Sequence, residues 1–177
     1  MIIYKRINCA FFTDTYFVTG KAKFTRGNTM MQLFVSEKGF VFIVPMKSRG
    51  EFHLDLKMFA KEIGVPLSLI LDPSGDQTST KVNKMCHDMG TTLKILEEST
   101  QHANLTERYV VLTKTLIQND PRKSYAPMVL WNFCAERRMR INDLTDRPLF
   151  RLQGQNTHLA TFGEDWEISN VCQFKWY

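Results

Sequence analysis

No apolar run in this sequence reaches the ~18 residues that a membrane-spanning helix needs, so no membrane partner is expected. Close cysteine pairs are missing too. Cys9, Cys86, Cys134 and Cys172 are scattered, no CxxC occurs, and the four histidines are equally dispersed. Zinc sites need paired spacing, so none is expected. The thiols read as reduced and mostly buried, as in a cytosolic or nuclear protein. A secretory leader is not evident: MIIYKRINCAFF carries Lys5 and Arg6 among its apolar residues instead of ahead of them. There is no internal repeat and no low-complexity segment.

What is present suits one domain with a real core. The chain has 177 residues, 44% hydrophobic and 23% charged, as in an ordinary soluble globule. A net charge of +5 and a pI of about 9.1 tolerate an anionic partner without demanding one.

The order of elements is legible from periodicity. Residues 7–18 are apolar and aromatic and suit a strand. Residues 18–28 read as a loop carrying Lys21, Lys23 and Arg26. Residues 30–46 are two β-rich runs around Glu37-Lys38-Gly39, a hairpin with glycine supplying positive φ. Phe52, Leu56, Phe59, Ala60 and Ile63 have helical spacing within 48–66, closed by Gly64 and Pro66. The run 67–71 is a short strand buried on both faces. A helix follows at 79–90, with Ser79 as N-cap and Gly90 as stop. Then come a strand at 91–96, a helix at 103–120 stopped before Pro121, and a helix at 127–144 opened by Pro127. This order predicts an α/β fold: a mixed sheet flanked by helices, its later strands parallel.

Three acids fall where such sheets gather chemistry. Asp14 lies within the first strand among Phe11, Phe12, Tyr16 and Phe17. Asp72 ends the strand 67–71. Glu107 sits about one turn into a helix. Each alone has an ordinary reading: a turn acid for Asp72, a solvated helix acid for Glu107, an edge-strand acid for Asp14. Together they suit a hard divalent cation, because a carboxylate inside an apolar strand is costly unless paired or metal-bound. Two such ions would serve phosphoryl transfer.

The spacing and the surrounding motifs resemble the integrase catalytic core of copia-type LTR retrotransposons and, more distantly, of retroviruses. FTDT (12–15) is similar to the first catalytic strand of that family. QLFVSEKGFVFIVPMKSRGE (32–51) resembles its hairpin and helix start. LDPSGDQTS (71–79) resembles the segment around its second acid, followed by a helix with Cys86 and Gly90. TQHANLTER (100–108) resembles the stretch that ends in Glu-Arg, and LWNFCAERRMRIN (130–142) a later helix. Between Asp72 and Glu107 lie 34 residues, against about 35 in the family. Some positions depart from the pattern: Pro73 replaces an Asn, Gln77 replaces an aromatic, and Asn104 stands where a Gly is usual. A one-residue gap there makes Glu97 and Glu98 fallback candidates for the third acid. The His/Cys zinc module that precedes the family's core is not seen.

The resemblance implies a ribonuclease-H-like fold with a mixed five-stranded sheet, comprising a catalytic core over 1–146 and a C-terminal extension over 147–177. It implies a polynucleotidyl transferase that joins retroelement DNA ends to target DNA. Asp14, Asp72 and Glu107 would be both catalytic residues and ligands of two Mg²⁺ or Mn²⁺ ions. Lys114, two helical turns after Glu107, is the first candidate for a DNA phosphate contact. Arg108, Lys21, Lys23 and Arg26 are further candidates. His102 reads as a surface residue, and Cys86 and Cys134 as core. Arg137, Arg138 and Arg140 lie on a helix that in the family helps form dimers. Partners would be double-stranded DNA and a second or further copies of the chain. The location would be the nucleus, with assembly in cytoplasmic particles. Two alternatives remain: a decayed core acting as a dimerising or non-specific DNA-binding scaffold, and, ranked lower, a ribonuclease H.

Overall fold

The structure is a computed structural model. It describes residues 4–17, 27–73, 75, 77–97, 105–124, 127, 130–144, 152 and 154–164; within the helices the side chains of 113, 114, 116–118, 120–124, 132, 138 and 144 are not described. Five strands form one sheet: β1 (Arg6–Phe17), β2 (Met30–Ser36), β3 (Val41–Met46), β4 (Val65–Leu71) and β5 (Thr92–Ile95). Their spatial order is β3-β2-β1-β4-β5. The pairs β1–β2 and β2–β3 are antiparallel, whereas β1–β4 and β4–β5 are parallel. This is the mixed five-stranded sheet expected from the sequence.

Alternation along β1 sends its side chains to two separate cores. Ile7, Cys9 and Phe11 face one, beneath α1 (Phe52–Glu62) and α2 (Thr80–Met89). Phe59 is central there, stacked 4.5 Å from Phe34 and edge-on to Phe11 at 5.0 Å. On the opposite face, α3 (Leu105–Ser124) and α4 (Trp131–Leu144) cover Met31, Leu33 and Val35 with Tyr109, Val110, Trp131, Ala135 and Met139. Two buried faces explain why β2 and β4 read as near-continuous apolar runs.

Three prolines behave differently from the sequence expectation. Pro127 does not open the last long helix; it is not helical, and α4 begins at Trp131. Pro66 does not close the first helix; it lies inside β4, paired with Ile7. The β1 register gains one residue between Ile7 and Ala10, and such a bulge is where a strand tolerates a residue without an N–H. Pro121 does not stop α3, which runs on to Ser124. Proline so close to a helix end removes one of its last hydrogen bonds and leaves the earlier ones intact. Gly39 does supply positive φ (92°) at the hairpin. A Cβ there would lie 2.5 Å from the Tyr109 hydroxyl, so the glycine also lets α3 approach the turn.

A short helix, α5 (Thr157–Phe162), packs on β1 and α4. Its anchor is Asp143, only 2% exposed. The Asp143 Oδ1 accepts from the Val41 N–H (3.1 Å), the Asn142 Nδ2 (3.2 Å) and the Thr157 hydroxyl (3.1 Å). One carboxylate therefore joins β3, α4 and α5. Asp143→Ala leaves those donors buried and unpaired, at ~1–3 kcal/mol each. A loss of roughly 3 kcal/mol is expected in urea unfolding, with Asp143→Asn losing less because its carbonyl still accepts. Equal stability of wild type and Asp143→Ala would refute this role.

Candidate active site

The parallel register places the first two acids side by side. Thr13 pairs with Leu71, so the next residues on the two strands are Asp14 and Asp72. Asp14 belongs to the even-numbered face of β1, the face under α3. Glu107 lies in the first turn of α3, where the helix dipole favours a negative charge. Thr106, Tyr109 and Val110 form the buried stripe of that helix and leave Glu107 exposed on its flank.

Electrostatics show how close the three acids are. The Asp14 carboxyl is pushed up from an ordinary 3.8 to about 6. Burial is the largest cause. The Thr15 N–H, which donates to Asp14 Oδ1 at 2.7 Å, pulls the other way. The charges of Asp72 and Glu107 push it further up, and the Arg49 guanidinium opposes them. Glu97 is exposed after β5, and Glu98 lies outside the described residues.

The side chains do not close around a shared point. Among the described residues, no three of His, Cys, Asp and Glu are gathered closely enough to hold an ion. Chemically the donors suit a hard divalent cation: three carboxylates, one of them half-buried, its pKa raised chiefly by burial and further by the charges of the other two. Holding an ion between them would require the three carboxylates to come closer together than they stand.

The candidate DNA contacts are only partly described. Arg108 is exposed in the first turn of α3. Lys114 lies on the same helix, but its side chain is outside the described residues, as are Lys21, Lys23, Arg26, Arg138 and His102 altogether or in their side chains. Arg137 and Arg140 are exposed on α4; Arg140 meets Glu136 at 3.2 Å, one turn away. Cys9 and Cys86 are buried, and burial pushes both thiols up to about 11, which makes them poor nucleophiles. Cys134 is half-buried and Cys172 lies outside the described residues.

Sequence reasoning missed several residues. Arg49 comes from a 3-10 turn (Arg49–Glu51) before α1 and stacks 4.5 Å over the Phe17 ring. No motif marks it; only the antiparallel pairing of β1 with β2, and of β2 with β3, brings that turn to the end of β1. Thr13, Thr15, Gln32 and Gln77 form a buried polar chain behind Asp14. Its one visible signal was the Gln at position 77, where the resembling family has an aromatic.

With this geometry in hand, the comparisons with solved structures are informative. A chain of the simian T-cell lymphotropic virus intasome, determined in complex with PP2A regulatory subunit B56 gamma, superposes with a TM-score of 0.69 over 86% of this chain, at 16% identity. The catalytic core domain of HTLV-2 integrase, determined with magnesium in a trimeric form, superposes with a TM-score of 0.66 over 85% of this chain, at 14% identity. The fold is that of a retroviral integrase catalytic core. The present chain matches 53% of the first protein's length and 94% of the second's, so it spans about half of the intasome chain and nearly all of the isolated core. No protein-family model and no curated protein matches it. The integrase-core fold accounts for the arrangement of the sheet: three antiparallel strands, then two parallel ones, with the three acids at one end.

Proposed function

We propose that this chain is the catalytic core of a retroelement integrase of the copia type, a polynucleotidyl transferase that joins element DNA ends to target DNA. The observation that carries this reading is the electrostatic convergence of Asp72 and Glu107 on Asp14, from three separate elements of an integrase-core fold. Asp14 and Asp72 would hold one Mg²⁺ or Mn²⁺, and Asp14 and Glu107 a second. Ions bound there would supply an acidified water or aligned 3′-hydroxyl and offset charge on the leaving oxygen. The protein's own part is to hold the carboxylates at one end of the sheet and to keep Arg49 beside them. Lys114 and Arg108 lie on the same helix as Glu107 and would meet DNA phosphates. The magnesium-bound, trimeric HTLV-2 core and the intasome chain support use of a divalent metal, an oligomeric state and a DNA partner. Work on DNA would place the protein in the nucleus, after assembly in cytoplasmic particles.

A second reading has one observation in its favour: among the described residues, no three metal-ligating side chains are gathered as they stand. In that reading the core is a scaffold that binds DNA weakly and performs no transfer. An oligonucleotide-joining assay with Mn²⁺ separates the two. Wild type is expected to join DNA ends, and Asp14→Asn to lose at least ~100-fold, since metal stabilisation of the transition state is worth several kcal/mol. Joining that is absent from both proteins, alongside retained DNA binding, establishes the scaffold.

A further inference from the structure

Gln77 is only 3% exposed, yet it follows the Asp72 turn by five residues and precedes α2. Its Nε2 lies 3.3 Å from the Thr15 hydroxyl. Thr15 in turn lies 2.7 Å from Gln32 Oε1, Gln32 Nε2 lies 2.6 Å from the Thr13 hydroxyl, and Thr13 lies 2.8 Å from the Leu33 carbonyl. Thr13 and Gln32 are fully buried.

The direction of this chain is fixed by its last member. A backbone carbonyl only accepts, so the Thr13 hydroxyl spends its one proton on Leu33. The Thr13 oxygen must then accept, so Gln32 presents its NH₂ to Thr13 and its carbonyl to Thr15. Thr15 therefore donates to Gln32 and can only accept from Gln77. Gln77 is thus required as a donor, and its own Oε1 is left buried without a hydrogen-bond partner.

Thr15 acts in two directions at once. Its hydroxyl receives Gln77, on the far side of Asp72. Its backbone N–H holds the Asp14 carboxylate at 2.7 Å. We propose that Gln77 is a positioning residue: through Thr15 it ties the turn that carries Asp72 to the strand that carries Asp14, and so sets the separation of the two acids. Its consequence for metal binding rests on the function proposed above; the tie itself does not.

Gln77→Met and Thr15→Val test it in the full chain. Methionine keeps the length of the side chain and removes the unpartnered Oε1 together with the donor, so global stability is expected to change little. Val82→Ala, in the buried face of α2 outside the chain of hydrogen bonds, is the control for plain destabilisation. In metal-free protein, hydrogen exchange at the Asp72, Gly75, Gln77 and Thr78 amides of 72–78 is expected to quicken about fivefold in Gln77→Met and Thr15→Val, the change one buried hydrogen bond carries. The double variant should be no faster than Thr15→Val alone, which removes the same tie and also the Thr15 donor to Gln32. Affinity for Mn²⁺, by calorimetry, should weaken ~10–100-fold in both, the usual scale for a residue that orients a ligand from behind. Val82→Ala should leave affinity unchanged and 72–78 protected as in wild type. Wild-type protection over 72–78 in Gln77→Met, or equal loosening in Val82→Ala, overturns the proposal. If wild type binds no Mn²⁺ the metal-site reading fails, and the exchange data alone decide the tie.

Discussion

Asp72→Asn is expected to make the metal-free protein slightly more stable and to abolish its divalent-metal binding. The two effects have opposite signs for one reason. Asp72 raises the Asp14 pKa by charge repulsion, so in the absence of a cation its charge acts against the Asp14 carboxylate. Two carboxylates near a protein surface repel by roughly 0.5–1 kcal/mol after solvent screening. Asparagine keeps the shape and removes the charge, so the variant gains about that much in urea unfolding without metal. It loses an anionic ligand to a hard cation, so Mg²⁺ or Mn²⁺ titration should give no measurable heat and DNA joining should fall by at least ~100-fold. The closest readout is the Asp14 carboxyl itself, followed by NMR in the metal-free protein: its pKa should drop below about 6 in Asp72→Asn and, by the same argument, in Glu107→Gln. An Asp14 pKa that ignores both substitutions would mean that the three acids do not share a site. A structural acid placed only for turn geometry would instead cost stability when replaced, since the capping carboxylate would be lost.

The sequence carried the sheet, and with it the first two acids, because their signals are local. The apolar, aromatic run in 7–18, the Gly39 hairpin and the apolar run before Asp72 each follow from neighbours a few residues apart. Parallel pairing of two such strands then sets Asp14 beside Asp72 with no further information. Glu107 was legible only through the spacing of a resembling family, since an exposed acid in a first helical turn has an ordinary explanation. Arg49 and Gln77 could not be read. Each acts on a residue far away in sequence, Arg49 on Phe17 and Gln77 on Thr15, the latter 62 positions apart, through contacts that no periodicity encodes. Gln77 showed up only as a departure from a pattern, and the structure gives that departure a partner in Thr15. The element boundaries that failed were those set by proline. Proline was treated as a stop at 66 and 121, but a bulge admits it in β4 and proximity to the helix end admits it in α3. Helix α5 was missed because six residues are too few for a helical period to stand out.

Metal-free protein should be more stable at pH 5 than at pH 8, the reverse of ordinary acid unfolding. Asp14 and Asp55 both have pKa values raised in the fold, to about 6 and about 7 from 3.8. Burial is the main cause for each; Asp55 is 6% exposed, with Oδ2 lacking a hydrogen-bond partner and the Glu51 charge nearby. Between pH 3.8 and those values the native state binds more protons than the unfolded chain. Stability therefore falls as pH rises through that window, and the full cost applies above about 7. Two shifts of this size carry several kcal/mol in principle; with solvent relaxation around two incompletely enclosed groups, a net gain of about 2–3 kcal/mol on moving from pH 8 to pH 5 is expected in urea unfolding. Asp55→Asn should raise stability at pH 8 and flatten the profile. Saturating Mn²⁺ at pH 8 should raise it as well, through Asp14 alone, because Asp55 lies in α1 on the other face of the sheet. The two carboxyls are thus separable: metal removes the Asp14 share of the slope, and Asp55→Asn removes the remainder. A profile that is flat in wild type, or one that Asp55→Asn leaves unchanged, would show that burial of these acids is relieved by solvent. A slope that Asp55→Asn halves and Mn²⁺ leaves untouched would place the Asp14 cluster outside metal chemistry and return the fold to the scaffold reading.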